Sequence, residues 1–173
     1  MNSNIIQQAR DVAQQLIRYL GERNLDQLIS LFNEKVDWFI PGNQALAPWT
    51  GKRETKQEVK AFFELLWINT ETLSAEIDHV LAEGKVAIAA GSFSTRMLQT
   101  GNIVESPFSI YIEIEEGLIT KYRLLEDSFA VSVALTDHLE YCCFGTRVTH
   151  PTGKSQSRYG IQPNPNSRYN FQI

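Results

Sequence analysis

The 173-residue sequence predicts an α+β fold, with three helices first and a curved, mostly antiparallel sheet after them. Apolar residues recur at three- and four-residue steps over the first third of the chain, the period of helices that bury one stripe. From residue 72 the pattern changes to long alternating runs, the period of strands. Tight turns at Glu83-Gly84, Gly101-Asn102 and Glu116-Gly117 join those runs, and connections that short favour antiparallel neighbours.

In the first helix Ile5, Ile6, Ala9, Val12, Ala13, Leu16, Ile17 and Leu20 form the stripe, and Gly21 is expected to end it. A second helix starts at Asn24, with Gln27 at capping-box distance and Leu25, Leu28, Ile29, Leu31 and Phe32 on its buried side. A strand follows in which Val36, Trp38 and Ile40 share one face and Asp37 and Phe39 the other. After the Pro41-Gly42 turn, Thr55 and Glu58 mark the start of a third helix whose apolar face is Val59, Phe62, Phe63 and Leu66. Strands are predicted over 72–82, 85–98, 103–114 and 118–133. In the third of these Phe108, Ile110, Ile112 and Ile114 alternate with Ser109, Tyr111 and Glu113. One apolar sheet face covered by the helices completes the layout.

Residues 1–144 read as one domain with a proper core, to which the 43% apolar content contributes. Residues 145–173, rich in Gly, Pro, Ser, Asn and Arg, read as an irregular basic tail. The net charge of −4 divides unevenly, because all 20 carboxylates lie at or before Glu140 while Arg147, Lys154, Arg158 and Arg168 follow it. An acidic body argues against nucleic acid as a partner. The first residues lack a basic stretch followed by a long apolar run, and no apolar run reaches the ~20 residues of a membrane helix. A cytoplasmic protein is expected. Cys142 and Cys143 are sequence neighbours, a poor geometry for a disulfide. His79, His138 and His150 share no ligand spacing with each other or with the cysteines, so no metal is expected. The chain has no GxGxxG or Walker loop, no GxSxG nucleophile and no HExxH, so no cofactor is expected either.

The run Trp38-Phe39-Ile40-Pro41-Gly42 followed by Trp49-Thr50-Gly51, the turn segment Val80-Leu81-Ala82-Glu83-Gly84-Lys85-Val86, and Glu126-Asp127-Ser128 resemble the nuclear transport factor 2-like superfamily. Within it the chain is similar to the SnoaL-like polyketide cyclase group related to ketosteroid isomerase, over roughly residues 5–135. The resemblance implies a cone-shaped α+β domain with a cavity, and commonly a homodimer. It leaves the chemistry open, because one fold hosts isomerases, cyclases, dehydratases, hydrolases and binding proteins. The aspartate that the isomerases use before the Pro of the strand-end turn is Ile40 here, and their buried acid falls near Ser109 or Ile110. That pair therefore has no counterpart. Asp127 matches a carboxylate position of the cyclase-like group on the last strand.

Asp127, Arg96 and His79 are the candidate catalytic residues: Asp127 to take a proton from carbon, Arg96 to hold a developing oxyanion, and His79 as a base that Asp127 orients. Each also has an ordinary reading, Arg96 as a solubilising side chain and His79 as a packed strand residue. Trp38, Ile40, Trp49, Phe63, Tyr19 and Tyr122 are the candidate ligand contacts, aromatic walls with indole and phenol donors. Tyr122 and Asp127 differ in strand parity, so one of them at most faces a cavity unless a bulge intervenes. Phe108, Tyr111 and Phe129 are candidates for a face shared by two copies. A cofactor-independent isomerase or cyclase acting on a small apolar carbonyl compound, a binding protein for an apolar metabolite and a dimeric interaction module all remain open.

Overall fold

The computed structural model describes residues 2–136, 142–143 and 146–149. Helices α1 (Asn2–Glu22) and α2 (Leu25–Ser30) precede strands β1 (Phe32–Ile40) and β2 (Gly51–Thr55). Helix α3 (Lys56–Asn69) then leads into four long strands, β3 (Thr70–Glu83), β4 (Val86–Met97), β5 (Ile103–Glu115) and β6 (Leu118–Glu126). Helix α4 (Ser128–Ala134) and the short strands β7 (Cys142–Cys143) and β8 (Thr146–Thr149) follow.

The helix ends show how local chemistry sets the boundaries. Helix α1 runs one residue past Gly21, and the left-handed position that closes it is taken by Arg23 at φ 50°. Asn24 caps α2 by accepting a hydrogen bond from the Gln27 backbone N–H at 3.3 Å. Leu31 and Phe32, expected on that helix, are buried but follow it: Leu31 is its C-cap, and Phe32 opens β1. Both halves of the Thr55–Glu58 capping box are present on α3.

The strand expected over 118–133 ends at Glu126, where Asp127 caps α4 by accepting from the Ala130 N–H at 2.9 Å. The valines of 128–134 favour strand by propensity, but the cap and the burial of Ala130, Val131 and Ala134 on one side select helix. The irregular stretch expected from residue 145 contains β8, which pairs with Ile103–Glu105 of β5. Most of the remaining tail lies outside the described residues, as do His138, His150, Lys154, Arg158 and Arg168.

The main sheet runs β2-β1-β6-β5-β4-β3, antiparallel throughout except for β1 beside β6. The β4–β5 ladder is unbroken, whereas β3 slips against β4 between Thr72 and Ser74 and again between Ile77 and His79. Each extra residue bends β3, so the sheet curves around the helices. Gly91 makes the second bend possible: a Cβ there would lie 2.0 Å from the Glu76 carbonyl oxygen. The concave face carries odd-numbered residues of β4, even-numbered residues of β5, and Ile119, Tyr122, Leu124 and Glu126 of β6, where the register shifts between Ile119 and Lys121. Its apolar side chains pack on Leu16, Val59, Phe62 and Phe63.

Candidate functional site

Curvature leaves a cavity of about 310 Å³ between the sheet and helices α1, α3 and α4. Thr72, Ala75 and Ile77 of β3 and Gly21 of α1 line it and are solvent-exposed, so it opens between α1 and β3. Its walls are aromatic and aliphatic, with Trp49 from the β1–β2 connection, Phe62, Phe63 and Trp67 from α3, Phe93 from β4 and Phe108 from β5. Strand β6 contributes Tyr122, Leu124 and Glu126 at every second position. Val131 of α4 also lines it.

Glu126 is the one carboxylic acid in this lining. Across the ladder it faces Phe108, and among the described residues its carboxyl makes no hydrogen bond or ion pair. Burial raises its pKa to about 7 from an ordinary 4.5, and the nearby charge of Asp127 adds to the effect. Near neutral pH the group therefore exchanges a proton readily. Tyr122 stacks on Trp38 at 3.9 Å with the planes 7° apart. Its phenol is held well above the usual range, first by burial and then by the charge of Glu126, so it stays a hydrogen-bond donor.

The expected site residues divide sharply. Trp49, Phe63 and Tyr122 line the cavity. Trp38 and Ile40 are both 1% exposed and lie behind the wall; Trp38 packs in an aromatic cluster with Phe62 at 4.8 Å and borders an open groove of about 660 Å³ beside β1 and β2. Tyr19 is outside the lining and its hydroxyl accepts from Arg18 at 2.8 Å; Ile17, Leu20 and Gly21 represent α1 there instead.

The three expected catalytic side chains do not meet in the cavity. Asp127, one residue past Glu126, turns out of the strand: its carboxyl caps α4 and its N–H donates to Ser106 Oγ at 3.0 Å. Arg96 shares the outer face of β4 with Ser92 and Ser94 and pairs with its cross-strand neighbour Glu71. His79 is exposed on β3, because the slip after Ile77 moves the inward positions to Val80 and Ala82. Asp37 is exposed and paired with Arg123 at 2.6 Å. Of the residues offered for a shared face, Phe108 lines the cavity, while Tyr111 lies on the outer face and donates to Glu113 at 2.7 Å.

Glu126 is the residue that sequence reasoning passed over. Parity contains the signal, since Glu126 lies two and four residues from Leu124 and Tyr122, but the likeness of Asp127 to a known carboxylate position drew attention to its neighbour. Among the described residues no three His, Cys, Asp or Glu side chains gather as metal ligands. No helix among them is long and apolar enough to cross a membrane.

The SnoaL-like domain matches residues 13–122 of this chain. No curated protein matches it. Similar solved structures include an NTF2-like protein from Burkholderia xenovorans, with 19% identity, TM-score 0.68, and coverage of 76% of this chain and 98% of that one. An NTF2-like protein of unknown function from Burkholderia pseudomallei matches at 15% identity and TM-score 0.68 over 75% and 98% of the two chains. An LEH-like epoxide hydrolase from M. tuberculosis matches at 12% identity and TM-score 0.60 over 75% and 90%.

Proposed function

The chain belongs to the SnoaL-like domain family, and from that premise we propose a cofactor-independent enzyme of the isomerase or cyclase type in which Glu126 exchanges a proton with a small apolar carbonyl compound. The observation that supports this reading is a carboxyl with no hydrogen-bond or ion-pair partner among the described residues, poised near pH 7 in a mostly apolar wall. As carboxylate, Glu126 takes a proton from the carbon beside the carbonyl. The Tyr122 hydroxyl, which makes no hydrogen bond among the described residues, donates to the oxygen on which negative charge develops. Trp49 and Phe63 hold the body of the compound by apolar contact.

Deuterium uptake from heavy water into a panel of small cyclic ketones, followed by NMR, tests the reaction. Glu126→Gln should lower the exchange rate by roughly 10²–10⁴-fold. Asp127→Asn, which keeps an acceptor for the α4 cap, should leave it within a few-fold. Equal exchange by the Glu126→Gln protein and the unaltered one would remove the reading. A binding protein is the second reading, favoured because none of the described lining residues is a Lys, Arg or His that could hold an enolate. Under it, a compound carried through purification is recovered unchanged after incubation.

A further inference from the structure

We infer that the cavity prefers a compound carrying one positive charge, a lipophilic amine or quaternary ammonium, over its uncharged counterpart, with Glu126 as the counter-ion. The inference rests on reading the cavity as the ligand site and does not require turnover.

Buried carboxylates are ordinarily paired, because burial without a partner is unfavourable. Glu126, half-buried on the cavity wall, departs from that rule: among the described residues it has no hydrogen-bond or ion-pair partner, and none of the described lining residues is a lysine, arginine or histidine. Among the described residues nothing supplies a cation, so a ligand that carries one meets an unneutralised carboxylate. An anionic ligand would be repelled, and a neutral one would leave the ionised carboxyl as it is. The remaining walls suit a cation as well. Trp49, Phe63, Trp67, Phe93 and Phe108 present aromatic surface from four parts of the fold, and aromatic faces attract positive charge most strongly where water is excluded.

The arginines packed on two of the lining aromatic rings do not fill the role. Arg53 lies 5.0 Å over the Phe62 ring and donates to the Thr50 carbonyl at 3.4 Å, and Arg23 lies 5.9 Å over Trp67 and donates to the Thr70 carbonyl at 3.2 Å. Neither lines the cavity. Among the described residues the other titratable groups beside Glu126 are the Tyr122 phenol on the same strand and the Asp127 carboxyl, which caps α4. The lining residues from α1, α3, β3, β4, β5 and α4 carry no ionisable group. If the ligand also has a carbonyl, its positive charge supplies what the described lining residues do not offer for enolisation. The C–H proton goes to the Glu126 carboxylate, the C–H electron pair becomes the enolate, and the ligand's own cation balances it.

Phenyltrimethylammonium and tert-butylbenzene have the same shape and differ in charge. Binding of each to the full chain is measured at pH 5.5 and pH 8.5. At pH 8.5 the cation should bind about tenfold tighter than the hydrocarbon, and its affinity should fall by nearly the same tenfold in all between pH 8.5 and pH 5.5, while the hydrocarbon is indifferent to pH. Glu126→Gln should abolish both the preference and the pH dependence. A carbon-13 titration of Glu126 in the unaltered protein gives a readout independent of that variant: saturating cation should move the midpoint down by about one pH unit. Equal affinity for the two compounds at pH 8.5, or a Glu126 midpoint unmoved by saturating cation, overturns the inference. Cation preference without ketone exchange would uphold it while removing the catalytic reading, and exchange of neutral ketones without cation preference would do the reverse.

Discussion

Glu126 is ionised at a disadvantage in the folded protein, and that has a sign in stability. Its folded pKa of about 7 lies above the ordinary 4.5, so the native state holds the proton more tightly than the unfolded chain does. Stability from this group is therefore complete below about pH 4.5 and is lost as pH rises through 7. Glu126→Gln should match the unaltered protein near pH 4.5 and exceed it by roughly 2–3 kcal/mol at pH 8.5, an upper figure for a partly accessible group. Urea unfolding at the two pH values measures this; equal stability at pH 8.5 would mean that the carboxyl is better solvated than its surroundings indicate. Alternation from Tyr122 already places Glu126 on the inner face. What alternation leaves open is whether Asp127 continues the strand or leaves it, and that depends on a helix cap whose donor, Ala130, is set by tertiary packing.

At the scale of elements, β3 decides the shape of the site. Two slips against β4 turn Thr72, then Ala75 and Ile77, and then Val80 and Ala82 inward, which no constant two-residue period describes. His79 was open to an inward reading for that reason. Gly91 is where the neighbouring backbone comes closest, so Gly91→Ala should destabilise the protein by about 2 kcal/mol or more, because the atom it meets is a carbonyl of β3 and not a movable side chain. Thermal and urea unfolding of the variant measure the loss, and an unchanged midpoint would show that β3 yields freely. Alternation places Arg96 on one face with Ser92 and Ser94 but leaves open whether that face turns inward, and the structure turns it outward. Its partner Glu71 became identifiable only from the register of β3 on β4.

At the scale of the whole molecule, the convex sheet face presents Leu125, 54% exposed and opposite Ser109, with Phe39 and Tyr111 flanking Arg123 two residues earlier on the same strand face. We propose that two copies associate there. Light scattering at micromolar concentration should give about twice the 19.7 kDa of one chain, and Leu125→Lys should reduce it to one. A single-chain mass for the unaltered protein rules the association out. Residue order alone determined the helix-then-sheet layout, the capping box of α3 and the alternating faces of β1 and β5, because these depend on periods and spacings within a short stretch of chain. Tertiary structure decided where β3 bends, that residues 128–134 form a helix, and that Glu126 instead of Asp127 enters the cavity. Those outcomes depend on contacts between elements far apart in sequence, such as the Gly91 approach to Glu76 and the Ser106 hydroxyl beneath Asp127. No local pattern encodes the distance between them.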